Sequence, residues 1–232
     1  MFEPLKRLSL SEIVASQIQR KIIMEEIAIG SRLPPVKELS KEFGVSELVI
    51  REALKLLETM GHIRRRKGPR GGAYVINVFH RPLSIFLKKM TENGKITVED
   101  IWDVRFKLEP HAIERAIRNP QEEAYKKFRQ LFDQAKNKFD DPVFLKNKNI
   151  EFHLILADLS GNPILSFFIK ALLEILAEVA FNFLDLEFEQ NLLKIHERLF
   201  LAIYEKDMER ALRLFNEDLT FLKQTLKKHD IR

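Results

Sequence analysis

Residues 33–75 read LPPVKELSKEFGVSELVIREALKLLETMGHIRRRKGPRGGAYV, and this stretch decides the fold of the N-terminal third. Val36, Leu39 and Phe43 give a short apolar stripe at helical spacing that stops at Gly44. Ser46 is a good N-cap, because its hydroxyl can accept a free backbone N–H, so a second helix starts after it. That helix buries Ile50, Ala53, Leu54 and Leu57 and presents Glu47, Leu48, Arg51 and Lys55 on its other face. Gly61 supplies the left-handed residue that commonly ends a helix. The basic run Arg64-Arg65-Arg66-Lys67 follows, then a turn at Gly68-Pro69 and a β-prone return through Ala73, Tyr74, Val75 and Ile76. Two helices in a tight turn and then a basic hairpin form the plan of a winged helix-turn-helix. Its second helix fits the major groove of DNA, and its wing reaches the neighbouring backbone.

Working outward, Ser9 with Glu12 three residues on has the form of a capping box, so a supporting helix starts near Ser9 with Val14, Ile18 and Ile22 inward. The charge distribution agrees with a reading head. Residues 1–76 carry 14 Lys+Arg against 9 Asp+Glu, a balance of +5; the remainder carries 39 − 14 = 25 against 34 − 9 = 25 and is neutral. All the excess positive charge sits with the head, which favours a polyanionic partner. Over the 232 residues there is no cysteine, hence no disulfide framework and no thiolate ligand or nucleophile. No apolar run reaches the ~18 residues of a membrane span, and no signal core opens the chain. A cytoplasmic location without membrane contact is the expectation.

Several phrases in one order resemble the N-terminal domain of GntR-superfamily transcription regulators: Gly30-Ser31-Arg32-Leu33-Pro34-Pro35, Lys37-Glu38-Leu39, Gly44-Val45-Ser46, Arg51-Glu52-Ala53-Leu54 and Gly61. The resemblance implies that Lys37, Arg51 and Gly68 approach DNA. With the helix face and wing, the expected DNA-binding set is Lys37, Ser46, Glu47, Leu48, Arg51, Arg65, Lys67 and Gly68. Arg51 suits a bidentate contact to guanine; against this stands a solvated face or an ion pair with Glu58. Glu47 and Leu48-Val49 depart from the arginine and small hydroxyl residues common in the family. Glu47 would repel phosphate, yet it suits the positive end of the helix dipole or the N4 amine of cytosine, and Leu48 suits a thymine methyl.

The joint runs from Asn77 to Gly94, with the domain boundary near Val78: residues 1–78 form the expected DNA-binding domain, and the family resemblance implies an effector-binding and dimerisation domain over 79–232. Pro82 opens a short helix there. Beyond it the pattern is helix after helix: Thr97/Asp100 to Arg118, Gln121 to Phe139, Asp141-Pro142 to Gly161, Pro163 to Phe183, Leu193 to Tyr204, and a last one capped by Asp207 and reaching Lys227. No strand pattern appears after Ile76, so the fold class is mainly α, a winged helix-turn-helix followed by an all-α bundle.

Polar residues interrupt the inward stripes of this bundle. Arg105 follows Ile101 and precedes Leu108; Asn149 and His153 are four apart; His196 lies between Leu193 and Phe200; Asp218 follows Leu214 and Phe215. A buried unpaired polar group costs roughly 2–7 kcal/mol, so these five either answer one another or hold an ion. Imidazole with carboxylate and amide oxygen suits Zn²⁺, Ni²⁺ or Mn²⁺. The alternative is an Arg105–Asp218 pair with core histidines. This half resembles the FCD effector domain of the FadR-type branch, in the phrases Asn149-Ile150-Glu151-Phe152-His153, Gly161-Asn162-Pro163, His196-Glu197-Arg198-Leu199-Phe200 and Val104-Arg105-Phe106-Lys107-Leu108-Glu109. The resemblance implies a divalent metal on Asn149, His153 and His196, with Asp218 where a third histidine is usual. It also implies that Arg105 faces a small carboxylate effector. His111 is off this pattern and reads as a core or surface residue.

The leading expectation is a ligand-controlled regulator that binds a palindromic operator as a homodimer, because two-fold dimers read two half-sites. A metal-dependent helical hydrolase is opposed by the absence of an H-E-x-x-H phrase and of a nucleophile phrase. An effector-free architectural DNA-binding protein is opposed by the polar stripes.

Overall fold

A computed structural model describes residues 9–68, 71–76, 78–179 and 184–228. Pro69, Arg70 and Asn77, and the expected end of the fourth bundle helix at Phe183, lie outside the described residues. The chain divides into two compact units, Met1–Pro82 and Leu83–Arg232.

In the first unit α1 (Leu10–Ile23) starts at Ser9, whose side chain and that of Glu12 cap each other's backbone as a capping box. Next come α2 (Val36–Phe43) and α3 (Glu47–Thr59). Gly44 ends α2 at φ 65°, a left-handed conformation that only glycine adopts without strain. Ser46 caps α3 by accepting from the Val49 amide. The wing is an antiparallel pair, β1 (Ile63–Arg66) and β2 (Gly72–Val75), in register from Ile63↔Val75 to Arg66↔Gly72. The stretch before α2 pairs with the other edge of β2: Leu33 donates to the Ala73 carbonyl at 2.8 Å, and Val75 to that of Ser31 at 2.9 Å. Val14, Ile18, Leu39, Ile50, Leu57 and Val75 close the core. The exit segment after β2 stays with the head. Val78 donates to the Gly61 carbonyl, and Phe79 packs edge-on against His62. A Cβ on Gly61 would stand 2.2 Å from the Val78 carbonyl oxygen, so glycine is required there.

α4 (Arg81–Glu92) opens at the boundary. The second unit continues with α5 (Val98–Arg118), α6 (Glu122–Lys136), α7 (Pro142–Leu159), α8 (Pro163–Val179), α9 (Leu186–Tyr204) and α10 (Met208–Lys228). Thr97 and Asp100 form the expected capping box of α5, and Asp141 caps α7 with Pro142 in its first turn. Two elements differ from expectation: α6 ends at Lys136, short of Phe139, and α9 has an earlier start. α9 starts at Leu186, capped by Asp185, instead of at Leu193. The alternation Leu186-Glu187-Phe188-Glu189 hides this first turn, because Phe188 and Glu189 are both buried. The core packs Phe128, Phe152, Phe200 and Phe215 among aliphatic side chains, with the Phe128 ring 5.1 Å from those of Phe152 and Phe200. Each large apolar side chain fully buried in this way contributes about 1.5–3 kcal/mol.

Candidate functional site

On the head, every expected DNA-facing residue is exposed. Glu47, Leu48, Arg51 and Lys55 share one face of α3, and Leu48 is 65% exposed. Ser46 serves the cap. Arg51 donates to Glu47 at 3.2 Å across one helical turn. The partner of Arg51 is therefore Glu47; the weighed ion pair with Glu58 does not form. Glu58 instead takes Arg65 of the wing, accepting from its backbone N at 2.8 Å and from its Nε at 2.6 Å. Burial of Glu58 works to raise its pKa, but the Arg65 hydrogen bonds and charge outweigh it and hold the carboxyl low. Arg65 thus ties β1 to the end of α3, while Lys67 and Gly68 stand open at the wing. Nothing in the sequence spacing marked that long-range pair.

In the bundle, the five polar residues picked from the stripes come together. Arg105, Asn149, His153, His196 and Asp218 are all buried and all line one cavity between α5, α7, α8, α9 and α10. The nitrogen and oxygen ligand atoms of His153, His196 and Asp218 lie within 4.8 Å of one another. Phe152 stacks on the His196 ring, centroids 4.4 Å apart, and fixes its plane. His111 is on the surface beside Glu114.

Two residues that the sequence reading passed over complete the cluster. Glu109, one turn after Arg105 on α5, is 1% exposed. Its Oε1 accepts from Arg105 Nε, and its Oε2 lies 2.8 Å from His153 Nδ1. Arg105 therefore bonds to Glu109, and the weighed Arg105–Asp218 pair is absent. Glu189 of α9 accepts from the Asn149 amide at 2.7 Å, and its backbone carbonyl accepts from the same Nδ2 at 3.0 Å. This turns Asn149 Oδ1 toward His196 Nδ1, at 3.1 Å. A carboxylate one turn from a buried arginine was the available signal for Glu109. Glu189 gave none, since its helix start was hidden.

The resulting contacts set a proton problem. His196 faces Asn149 Oδ1 at Nδ1 and Asp218 Oδ1, 3.1 Å away, at Nε2. His153 faces Glu109 Oε2 at Nδ1 and Asp218 Oδ2, 3.5 Å away, at Nε2. The His196 ring thus meets an acceptor at both nitrogens, yet a neutral imidazole carries one N–H; His153 Nδ1 also meets the donor Arg105 Nη2, at 3.4 Å. Burial pushes the His196 pKa down, against the pull of Asp218, so a second proton on that ring is disfavoured. Asp218 is held below the usual range: burial works to raise it, and His196, His153 and Arg105 together outweigh that. Glu109 is likewise brought to about 2, its burial overcome by Arg105 and His153. Two carboxylates face one guanidinium, and Asp218 Oδ2 has no hydrogen-bond partner. Both Nε2 atoms and Asp218 converge on one point, where Asp218 Oδ2 is left over.

A divalent cation fits that point. Two imidazoles and a carboxylate are a common ligand set, with the far nitrogens pinned by Glu109 and Asn149 in the way outer partners fix metal-binding histidines. Ligand atoms ~2.1 Å from one tetrahedral ion would stand about 3.4 Å apart, so the widest pair, within 4.8 Å here, would close by up to roughly 1.4 Å on binding.

The cavity itself measures about 80 Å³. A single water needs roughly 10–15 Å³ by the same measure, so a small organic molecule fits. Arg105 and the rings form one end. Trp102 covers Arg105, with the guanidinium carbon 5.1 Å from the indole centroid. Lys146 and Glu189 also line it. Burial raises the Glu189 carboxyl to about 7, against the Asn149 hydrogen bond and Lys146, and burial lowers Lys146.

Comparison with known proteins bears on both halves. Residues 10–75 match the family of bacterial regulatory proteins described as gntR, and residues 100–221, more than half of the chain, match the FCD domain. The chain belongs to the GntR family, in the group that carries an FCD domain. It is similar to YcbG, an HTH-type transcriptional regulator of Bacillus subtilis, at 27% identity over 97% of this chain and 94% of the relative. It is also similar to the transcriptional repressor NanR of Salmonella schwarzengrund, at 27% identity over 96% of this chain and 86% of that one. The solved structure of Streptococcus agalactiae GntR has the same fold, with a TM-score of 0.61 at 23% identity over 93% of this chain and 99% of that one. That of E. coli McbR/YncC follows at 0.52 and 20%, over 96% and 99%. This GntR protein is a transcription regulator with an effector-binding domain and not an enzyme, so the hydrolase alternative is overturned. Among its described residues no helix is long and apolar enough to cross a membrane.

Proposed function

We propose that this GntR regulator binds a palindromic operator as a homodimer and releases or tightens it in response to a small organic acid held beside a divalent metal. The observation that carries the reading is the convergence of His153 Nε2, His196 Nε2 and the unpartnered Asp218 Oδ2 on one buried point. These three side chains are the ligands, and Asn149, the expected fourth, acts through its hydrogen bond to His196. A Zn²⁺, Ni²⁺ or Mn²⁺ ion there would offer open coordination positions to a carboxylate. Arg105 supplies a charge-assisted hydrogen bond to the same carboxylate from its terminal nitrogens, since its Nε is committed to Glu109. The exposed face of α3, with Arg51, Leu48 and Glu47, supports base reading, and Lys37, Lys67 and Gly68 support backbone contact. Exposed Ile164 and Phe168 on α8 offer apolar area to a second copy. A regulator of this kind needs an effector that binds its DNA-competent and incompetent states unequally.

The test is operator binding, on a site recovered by selection from random DNA, with small carboxylates titrated against metal-loaded protein. Wild type shows a change in operator affinity with an acid, and Arg105→Ala keeps its metal but loses that response. A response that survives in Arg105→Ala would refute the assignment of the carboxylate grip.

A further inference from the structure

The wing has an outer face that neither α3 nor the wing tip uses. Side chains alternate along a strand, and Ile63, Ala73 and Val75 are buried toward the core, so Arg64, Arg66 and Tyr74 point to the opposite side. Arg65, between the two arginines, turns inward to Glu58 of α3. The segment before α2 adds a third row. Arg32 bridges to Tyr74, and its neighbour Leu33 is buried, so Arg32 also points outward. Arg66 lies over the Tyr74 ring, with its guanidinium carbon 4.8 Å from the centroid. Arg32 lies across Gly72, the register partner of Arg66: a Cβ there would stand 2.5 Å from Arg32 Nε and 3.2 Å from its guanidinium carbon. Gly72 is therefore what lets the Arg32 guanidinium lie close against the sheet.

No acid answers these charges. The sequence holds no aspartate or glutamate between Glu26 and Glu38 or between Glu58 and Glu92. Arg32, Arg64 and Arg66 are exposed and make no ion pair among the described residues, whereas the exposed Arg129 and Arg198 of the bundle each meet a glutamate. Three like charges on adjacent rows ~4.8 Å apart repel one another, and an anion laid across them relieves the repulsion. We propose that this outer face is a second phosphate-binding surface, held by Arg32, Arg64 and Arg66, which takes the DNA backbone beyond the base pairs that α3 reads. The inference rests on the DNA-binding character of the GntR head and on neither the metal nor the effector. The inner side of the hairpin rests on α3 through Arg65 and Glu58, so the outer side is turned away from the recognition helix and from the phosphates beside the bases it touches. Arg64 and Arg66 are ~6.6 Å apart along β1 with Arg32 two rows away, a spread that suits a repeating polyanion better than a single phosphate. Each guanidinium can grip phosphate oxygens in a bidentate way, and the stack on Tyr74 orients that of Arg66 beforehand.

The experiment uses the full chain and an operator recovered by selection from random DNA. One duplex ends at the selected base pairs, and a longer one carries about one further helical turn, ~10 bp, on each side. Affinity is measured against salt for wild type and for the triple variant Arg32→Gln/Arg64→Gln/Arg66→Gln, whose melting matches wild type because none of the three has a carboxylate partner to lose. Wild type binds the long duplex tighter, and its slope of log Kd against log salt is steeper there by about 2–3 per bound head, close to one for each phosphate. The triple Gln variant binds the short duplex nearly as wild type does and loses the gain on the long one. The triple variant Arg32→Lys/Arg64→Lys/Arg66→Lys, which keeps the charges, keeps most of the gain. Uncharged methylphosphonates placed in the flanks weaken wild type and leave the Gln variant unaffected. An equal loss on the two duplexes puts the three arginines on the operator-reading side and overturns the second surface. Unchanged affinity for both duplexes makes the face a solvated one and also overturns it, as does a Gln variant that responds to flanking methylphosphonates as wild type does.

Discussion

Two arginine–glutamate pairs, each spanning one helical turn, sit in the two halves of this protein and do opposite things. Glu47 and Arg51 on α3 meet at 3.2 Å with 48% and 62% of their side chains exposed. Arg105 and Glu109 on α5 meet with 2% and 1% exposed. In water the first pair contributes about 0.3–0.5 kcal/mol and is screened by salt, so Arg51 is free to leave Glu47 for a base. In the bundle the second pair cannot dissociate without leaving a bare charge in a dry site. The same spacing in the sequence therefore makes an adjustable contact on one helix and a fixed scaffold on the other. Burial alone decides which.

The largest effect that follows is on Glu109. Glu109→Ala leaves Arg105 buried without its partner and should destabilise the protein by roughly 3–5 kcal/mol in urea unfolding. The equivalent change in the head, Glu47→Ala, should move the midpoint by no more than about 0.5 kcal/mol. Similar costs for the two would remove the distinction between them.

Next in size is the DNA contact. Arg51→Ala should weaken a selected operator by about 1–3 kcal/mol and relax preference at one base pair per half-site, with unfolding nearly unchanged. Lys67→Ala should weaken selected and random DNA alike and flatten the salt slope. Arg65→Ala is a less clean probe, because it also cuts the wing from Glu58.

The pH dependence separates the two ends of the cavity in metal-free protein. Glu109, lowered to about 2 from 4.5 when folded, contributes stability that is complete above pH ~4.5 and lost as pH falls toward 2. Glu189, raised to about 7, works the other way: its contribution is complete below ~4.5 and lost as pH rises through 7. Glu189→Gln should flatten the decline in melting temperature between pH ~5 and 7 and leave the acid limb in place. The smallest effect is that of Glu47→Arg. It should raise affinity for random DNA slightly, by removing one repulsion and adding one attraction, and should shift the consensus recovered by selection. An unchanged consensus would reduce Glu47 to a partner of the helix dipole.

What could be read from the chain alone follows the same division. Caps and turns are local, so Ser9/Glu12, Thr97/Asp100, Gly44 and Gly61 marked their positions without help. Arg105, Asn149, His153, His196 and Asp218 stood out because each breaks an apolar stripe, and all five do line one cavity. The partners did not stand out. Glu58 and Arg65 meet across a helix and a strand, which no periodicity encodes. Glu109 has the spacing of an ordinary surface pair, and only its contact to His153 on α7 reveals that it faces inward. Glu189 sits in an alternating stretch that reads as irregular until α9 is seen to start at Leu186.

The central claim is that the cluster of His153, His196 and Asp218 holds a divalent cation. Protein purified without chelator is measured by elemental analysis and melted with and without chelator. The account predicts about one divalent ion per chain. It also predicts that a saturating ion, at around a hundred times its dissociation constant, raises the melting temperature by about 5–10 °C, and that His153→Ala abolishes both effects. Metal-free wild type whose melting ignores added Zn²⁺, Ni²⁺ and Mn²⁺ would contradict it.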